Sequence, residues 1–583
     1  MKQEMPAREM TFKEIRKGNY LYVDKTEYIY DLLEANPVRC CFLSRPRRFG
    51  KTLLLSTFEE LFQGDSELFR GLSIYKKGYK FESHPVLNFN MAYPDISSKD
   101  DLVSGIKANL LKKANDEGVR LFSRSYGKML GDLLEGIHEK HGTEAVILVD
   151  EYDAPVTDHM FDRDLALSVR EVQNGFFRAM KTYNRHVHFL IITGVTRYGV
   201  TFYGTGPNHL MDISLKPRFA GICGFTSSEI GKYFKGMFKD TIASLKLSGE
   251  LGPGAGSEEM MALILKHYGG YNWLGSENIL NPYSILEFFK RKKPGTYWPL
   301  KGRPSCLDNL VSDEPMFFIQ PSLKSHSKHH VVYPGDFNTD AVPFLFHSGY
   351  LTVDQEIDLK ISLNKDSETI SGFTFRFPNT EVSQAYHHAV FNDVFGPDDE
   401  SIQNLKIKFP NVAEQKKSGE AARLLGDILV SISKHESLSG RRNFMSGHLS
   451  TFDQERRTDL YFRAVLYCCF RSAGFDVRLG GESWLDRDDI VLSLNDKFRV
   501  VILMKYCCHD MMPTEEGDFG NAGGESECSS GVAAEMLLAL DIAEKQMRKT
   551  DCAGHHRTAG CDVTCMAVAL RKRNQVAVRF FEY

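Results

Sequence analysis

Val38-Arg-Cys-Cys-Phe-Leu-Ser-Arg-Pro-Arg-Arg-Phe-Gly-Lys-Thr-Leu-Leu-Leu55 is the stretch whose reading decides the fold. The run from Val38 to Leu43 reads as a buried parallel strand. It breaks into a short loop ending in Gly50-Lys51-Thr52, and Leu53-Leu-Leu opens a helical pattern. Strand, loop and helix with this ending form the context of a phosphate-binding loop. Backbone N–H groups at the helix start face an anion, Lys51 supplies a point charge, and the Thr52 hydroxyl is a hard oxygen ligand for Mg²⁺. The pattern G-x-x-x-x-G-K-[ST] places a glycine at position 45, where this chain has Arg45. A basic turn built from Arg45, Arg47 and Arg48 is the plainer alternative, and the rest of the N-terminal half must decide.

At 583 residues the chain exceeds what one core can organise, so about three or four domains are expected. A net charge of −4 gives no global attraction to nucleic acid, which leaves only a local patch for such binding. No apolar run reaches the ~18 residues of a membrane span, and the start Met1-Lys-Gln-Glu-Met lacks an apolar signal segment. A cytoplasmic, soluble protein without membrane contact is therefore expected. Of the twelve cysteines, eight lie at or beyond Cys468, and the adjacent pairs Cys468-Cys469 and Cys507-Cys508 suit no regular disulfide framework. Cys552-x-x-His555-His556 and Cys561-x-x-x-Cys565 lack a second pair at finger spacing, so free thiols are favoured over zinc.

Outward from the loop, a helix is expected over 52–63, a short strand over 85–90, and helices over 99–117 and 120–140. Ala145-Val-Ile-Leu-Val-Asp150-Glu151 then delivers two carboxylates at the end of an apolar strand, where ligands bind in open α/β sheets. Asp150 is the expected Mg²⁺ holder and Glu151 the expected polariser of an attacking water. A helix over 163–183 leads to the strand Val187–Thr193, after which Thr196, and more weakly Arg197, are candidates to sense a terminal phosphate. Gly221–Thr226 reads as a last short strand, and Thr226-Ser-Ser-Glu229 as a capping box opening a helix. The βαβα alternation implies a parallel sheet covered on both faces.

The motifs Tyr22-Val-Asp-Lys-Thr26, Arg45-Pro-Arg-Arg-Phe-Gly-Lys-Thr52, Asp150-Glu-Tyr-Asp153, Thr193-Gly-Val-Thr196, Gly221-Ile-Cys-Gly-Phe-Thr226 and Asn281-Pro-Tyr-Ser284, in this order, resemble the predicted AAA-ATPase-like family. The resemblance spans about residues 5–390 and implies a P-loop domain using ATP and Mg²⁺. It makes Arg45, Arg47, Arg48, Phe49, Gly50, Lys51 and Thr52 the family's own variant of the phosphate loop, with Asp150 as its acidic partner. ATP is favoured over GTP by this resemblance alone, since no Asn/Thr-Lys-x-Asp guanine motif is present. Where the family usually has Gly-Tyr-Arg, this chain has Gly270-Tyr271-Asn272; if that arginine contacts nucleotide or a neighbouring subunit the change puts coupling in doubt, and the plainer, favoured reading is that Asn272 shapes a turn.

Family members often carry a C-terminal nuclease-like domain, and the final third is similar to the restriction-endonuclease-like fold. A helix (458–473), strands near Phe475, Asp489 and Arg499–Lys505, a helix (532–547) and a strand (563–570) follow in that order. Glu482, Arg487, Asp489 and Lys505 match the nuclease pattern, but Asp486 replaces a glycine, Asp541 a glutamine, and Leu503 the second metal-binding carboxylate. Leucine offers no oxygen to a hard cation, so loss of cleavage is expected.

The expected organisation is an α/β P-loop core over 1–225, a helical lid over 226–290, a connector with a small ordered module over 291–395, and a degenerate α+β nuclease-like domain over 396–583. The expected partners are a nucleotide, nucleic acid through the C-terminal domain, and a second copy of the chain. Three functions compete. One is an ATPase whose nucleotide state regulates the C-terminal module, with Lys51, Glu151 and Thr196 in catalytic roles. The others are a nucleotide-gated binding protein with negligible turnover, and an active Mg²⁺-dependent nuclease with atypical ligands.

Overall fold

The computed structural model describes residues 3–7, 10–35, 38–159, 162–197, 210–298, 326–327, 331, 341–363, 366–390, 399–438, 451–479, 489–495, 498–506, 527–549, 562–571 and 575–582. These fall into two compact units divided between Ser383 and Gln384.

The first unit holds a five-stranded parallel sheet. Its strands are β1 (Cys40–Ser44), β2 (Val86–Asn90), β3 (Ala145–Asp150), β4 (Val187–Gly194) and β5 (Met211–Asp212), in the order β2-β3-β4-β1-β5. β1 and β3 are buried at every position and β4 at all but one, as strands covered on both faces must be. Edge strand β2 alternates instead. Helices α1 (Phe12–Lys17), α2 (Thr26–Tyr30), α3 (Lys51–Phe62) and α4 (Ser73–Lys76) precede β2. α5 (Lys99–Glu117) and α6 (Tyr126–His141) follow it. α7 (Ala154–Thr157) and α8 (Arg163–Thr182) link β3 to β4. On one face, Leu102, Ile106, Leu133, Leu134 and Phe176 of α5, α6 and α8 pack on Leu87, Ile147, Leu190 and Phe42. On the other, the α3 ring of Phe58 stacks on Phe189 with centroids 5.2 Å apart. Burying one such ring stabilises the sheet by about 2–3 kcal/mol.

Two local expectations are corrected. Gly221–Thr226 is not a strand: Gly224 turns the chain at φ +87°, and only an isolated bridge, Phe225 with Leu280, forms. The fifth strand is Met211–Asp212. The helix expected from 120 begins at Tyr126, because the Asp132 carboxylate accepts the N–H groups of Phe122 and Ser123 and holds that stretch as a turn.

Four helices follow where a lid was expected: α9 (Ser227–Tyr233), α10 (Lys235–Leu247), α11 (Ser257–Tyr268) and α12 (Pro282–Arg291). The Thr226/Glu229 capping box is formed as expected. Ile230, Phe234, Ile264 and Phe288 of these helices pack in one cluster with Leu21 and Val23. The unit ends with strand β6 (His326–Ser327), helix α13 (Ala341–Ser348), the hairpin β7 (Thr352–Leu363) and β8 (Asp366–Arg376), and the start of α14 (Thr380–Val390).

The second unit contains α15 (Asp399–Glu414), α16 (Ser418–Leu438) and α17 (Thr451–Ser472), then a mixed sheet. Its strands β9 (Asp476–Leu479), β10 (Asp489–Asn495) and β11 (Phe498–Tyr506) form an antiparallel meander. Helix α18 (Glu527–Lys549) crosses to β12 (Asp562–Arg571), which is parallel to β11, and β13 (Gln575–Phe581) closes the edge. Among the described residues no helix is long and apolar enough to cross a membrane.

Candidate functional site

Three strand ends converge at the carboxyl edge of the parallel sheet. β1 feeds the loop 45–50, in which Arg48 (φ +70°) and Gly50 (φ +89°) take left-handed backbone so that the chain can double back into α3. Lys51 opens α3, and its side chain folds over the loop. Its Nζ donates to the carbonyls of Arg45 (2.9 Å) and Pro46 (3.0 Å). Lys51 is only 7% exposed, and this burial lowers its pKa against the opposing pull of Asp150 and Asp153.

Thr52, on the exposed side of α3, donates its hydroxyl to Asp150 Oδ2 at 2.7 Å. The other oxygen, Asp150 Oδ1, accepts the Thr193 hydroxyl (2.7 Å) and the Glu151 N–H (3.0 Å). One carboxylate at the end of β3 thereby gathers the loop helix and the end of β4. Glu151 sits at φ +49°, a left-handed conformation that a non-glycine side chain adopts at a cost of ~1–3 kcal/mol. The residue is exposed, and its pKa is raised by desolvation and then by the Asp150 charge.

Asp153 binds the segment after β4. Its carboxylate accepts the N–H groups of Val195 and Thr196 and the Thr196 hydroxyl, the last two at 2.5 and 2.7 Å. Thr196 is therefore turned inward onto Asp153, whereas Thr193 touches Asp150. Sequence reasoning passed over Thr193. The signal that could have found it is strand register: Val149 of β3 is level with Ile192 of β4, so the next residues, Asp150 and Thr193, are also level. Arg197 is paired with Asp212 at 3.0 Å.

The variant loop residues separate into two groups. Arg45, 1% exposed, leaves the loop altogether. Its guanidinium donates to the carbonyls of Ser44, Ser214, Phe219 and Ala220 and lies over the Trp273 ring at 4.2 Å. Phe49 is buried edge-on against Tyr271 and Trp273. Arg47 and Arg48 stay exposed. Arg47 stands 3.6 Å from Asp158, its carbonyl accepts the Trp298 indole N–H, and Arg48 lies over the Tyr283 ring at 5.5 Å. Asn272 shapes a turn: its amide donates to the Val353 carbonyl and its Oδ1 accepts the Leu274 N–H.

The nuclease-like positions lie elsewhere. Asp489 pairs across the sheet with Leu503, and Lys505 follows two residues on. Leu503 is 1% exposed, in an apolar cluster with Met536, Leu540 and Met547 of α18. Asp541 pairs with Arg579 at 2.6 Å. Glu482, Asp486 and Arg487 lie outside the described residues, as do Cys507, Cys508, Cys552, His555, His556 and Cys561. Among the described residues no group of three or more His, Cys, Asp or Glu side chains is disposed to hold a metal ion.

A strand–loop–helix ending in Gly-Lys-Thr, joined to an acidic strand end in a parallel sheet, defines a phosphate-loop class of α/β protein. Residues 8–201 match the family model described as "Predicted AAA-ATPase", which supports a nucleotide-binding, ATPase-like role for this part of the chain and suggests the use of ATP. The chain is also similar to an "Uncharacterized protein in vnfD 5′region" of Azotobacter chroococcum mcd 1. The two are 28% identical over 517 residues, covering 86% of this chain and 90% of that protein.

Proposed function

We propose that the first unit binds and hydrolyses ATP with Mg²⁺, and that its nucleotide state regulates the second unit. The observation that carries this reading is the 2.7 Å bond between Thr52 and Asp150, which joins the loop helix to the acidic strand end. A hydroxyl and a carboxylate are the hard oxygen donors that Mg²⁺ takes, so Thr52 and Asp150 would hold the ion. When bound, the ion would neutralise charge developing on the β- and γ-phosphates. Lys51 exchanges the carbonyls of Arg45 and Pro46 for phosphate oxygens. Glu151 is aligned by its strained backbone to orient a water, and its raised pKa suits a proton acceptor. Thr193 keeps the Asp150 carboxylate oriented, and Asp153 fixes the position of Thr196.

The second unit is read as a restriction-endonuclease-like module that has lost cleavage. Its helix–meander–helix–parallel strand order supports the fold, and the apolar packing of Leu503 leaves no oxygen where a second metal ligand would stand. In this reading it acts as an effector or docking module, with nucleic acid as one candidate ligand.

Calorimetric titration of ATP with Mg²⁺ into wild type and Lys51→Ala tests the nucleotide site. Loss of at least tenfold in affinity in the variant is expected, and no binding by wild type overturns the reading. Turnover that disappears in Glu151→Gln while binding persists supports an enzyme. Tight binding without turnover in wild type would make the unit a nucleotide-gated switch.

A further inference from the structure

Two arginines of the phosphate loop stay exposed, and they leave it in different directions. Arg48, at φ +70°, lies over the Tyr283 ring at the start of α12. Arg47 reaches instead to Asp158, at the end of α7 on the segment that runs on from Glu151. The pKa of Glu151 is raised by desolvation and then by the Asp150 charge, and the Lys51 and Arg47 charges oppose that rise. Arg47 thus stands within electrostatic reach of the carboxylate that would orient the attacking water.

The loop holds the backbone of Arg47 and leaves its side chain exchangeable. Pro46 before it is buried, and the Pro46 carbonyl accepts the Lys51 ammonium at 3.0 Å. The Arg47 carbonyl accepts the Trp298 indole N–H at 3.4 Å. The guanidinium, in contrast, meets Asp158 at 3.6 Å, with the two side chains 57% and 54% exposed. That is longer than the ~2.7–2.9 Å of a charge-assisted hydrogen bond. An exposed ion pair of this kind contributes little and gives way to a stronger acceptor. A terminal phosphate is such an acceptor, since it carries more charge than a carboxylate and its oxygens match the planar fork of a guanidinium.

We propose that Arg47 engages the terminal phosphate of ATP from within the loop, and that Asp158 competes with that phosphate for its guanidinium. The proposal rests on the reading of the loop as an ATP site. In hydrolysis the water oxygen bonds to the terminal phosphorus and a water proton passes to Glu151. The bond from that phosphorus to the β–γ bridging oxygen breaks, and its electron pair leaves on ADP. Charge gathers on the terminal oxygens and the bridge, and an arginine held against them is worth roughly 10³–10⁵ in turnover. ADP lacks the group that Arg47 would hold, so the same contact tells ATP from ADP.

The test uses the full chain with Mg²⁺, titrated calorimetrically with ADP and with the β,γ-imido analogue of ATP, alongside phosphate release from ATP. In Arg47→Gln the affinity for the analogue is expected to fall at least about tenfold while that for ADP stays within about twofold. Phosphate release is expected to fall about a hundredfold or more. In Asp158→Asn the analogue is expected to bind about two- to fivefold more tightly, the share an exposed ion pair can withhold, with ADP again unchanged. Competition produces opposite signs at the two ends of the pair, whereas a pair that merely braces the loop would weaken binding from either end. Both side chains are exposed, so neither substitution is expected to disturb folding, which the thermal midpoint checks. Equal losses for both nucleotides in Arg47→Gln, no loss at all, or unchanged or weaker analogue binding in Asp158→Asn overturn the proposal and leave the nucleotide site standing. Failure of wild type to bind either nucleotide overturns the nucleotide site and this proposal with it. Where binding occurs without turnover, the two affinity ratios decide.

Discussion

Glu381 on α14 offers the most direct test of the packing around the phosphate loop. It is 1% exposed, and its Oε2 accepts the Ser284 hydroxyl at 2.7 Å. Its Oε1 accepts the N–H groups of Tyr297 (2.5 Å) and Trp298 (2.8 Å). The Trp298 indole in turn donates to the Arg47 carbonyl of the loop. Among the described residues no cation is paired with this carboxylate, and burial pushes its pKa up from 4.5 to about 7. The folded state therefore holds the proton more tightly than the unfolded chain. The stabilisation is fully present below pH 4.5 and is lost as the pH rises through 7. At 1.36 kcal/mol per pH unit, the loss amounts to about 3 kcal/mol. Glu381→Gln keeps the shape and does not titrate, so wild type minus variant isolates the effect. Urea unfolding between pH 4.5 and 8, followed by tryptophan emission in a Trp484→Phe background, reads Trp273 and Trp298 of the first unit alone. The expected result is a wild-type advantage that shrinks by about 3 kcal/mol across this range. A difference constant to within ~0.5 kcal/mol would refute the account of a charged carboxylate held by backbone donors without a cation.

Thr193→Val removes a hydrogen bond to the Asp150 carboxylate worth about 1.5–3 kcal/mol. Mn²⁺ affinity, measured calorimetrically with nucleotide present, should fall about tenfold or more, while Thr196→Val leaves it within twofold. Gly349→Ala places a Cβ 2.6 Å from the Pro46 Cβ at φ +90°. It should destabilise the first unit by at least about 2 kcal/mol in denaturant titrations and weaken ATP binding through the displaced loop. Leu503→Glu would bury a carboxylate beneath α18. It should lower the stability of the second unit by about 3 kcal/mol or more without conferring Mg²⁺-dependent cleavage of DNA, whereas a stable variant that binds Mn²⁺ contradicts the packing described.

The strands were legible because buried parallel strands are short apolar runs, and β1, β3 and β4 carry that signature in Cys-Cys-Phe-Leu, Val-Ile-Leu-Val and Phe-Leu-Ile-Ile. β5 was not, since two paired residues, Met211 and Asp212, leave no periodic pattern. Gly221–Thr226 looked like a strand because Ile222 and Cys223 are apolar, but their burial comes from a turn at Gly224. The approach of Thr52 and Asp150 followed from motif order. The roles of Thr193 and Asp153 did not, because they depend on strand register and on which of two nearby carboxylates a hydroxyl reaches. The exit of Arg45 from the loop was also invisible, since three of its four carbonyl partners, Ser214, Phe219 and Ala220, and Trp273 come from distant sequence.

That exit explains how the loop does without its first glycine. In a phosphate loop every side chain directed into the cradle competes with the anion for the backbone N–H groups. Arg45 avoids the competition by pointing toward the 214–220 segment, and Phe49 by packing edge-on against the stacked rings of Tyr271 and Trp273. Left-handed backbone occurs at Arg48 and at Gly50, and glycine supplies it at the start of α3. The two side chains then do what glycines cannot: they fasten the loop to the segment after β5 and to the turn between α11 and α12. Trp273 is the common anchor, since the Arg45 guanidinium lies over its ring and Phe49 packs edge-on against it, so replacing Trp273 would loosen the loop at both points.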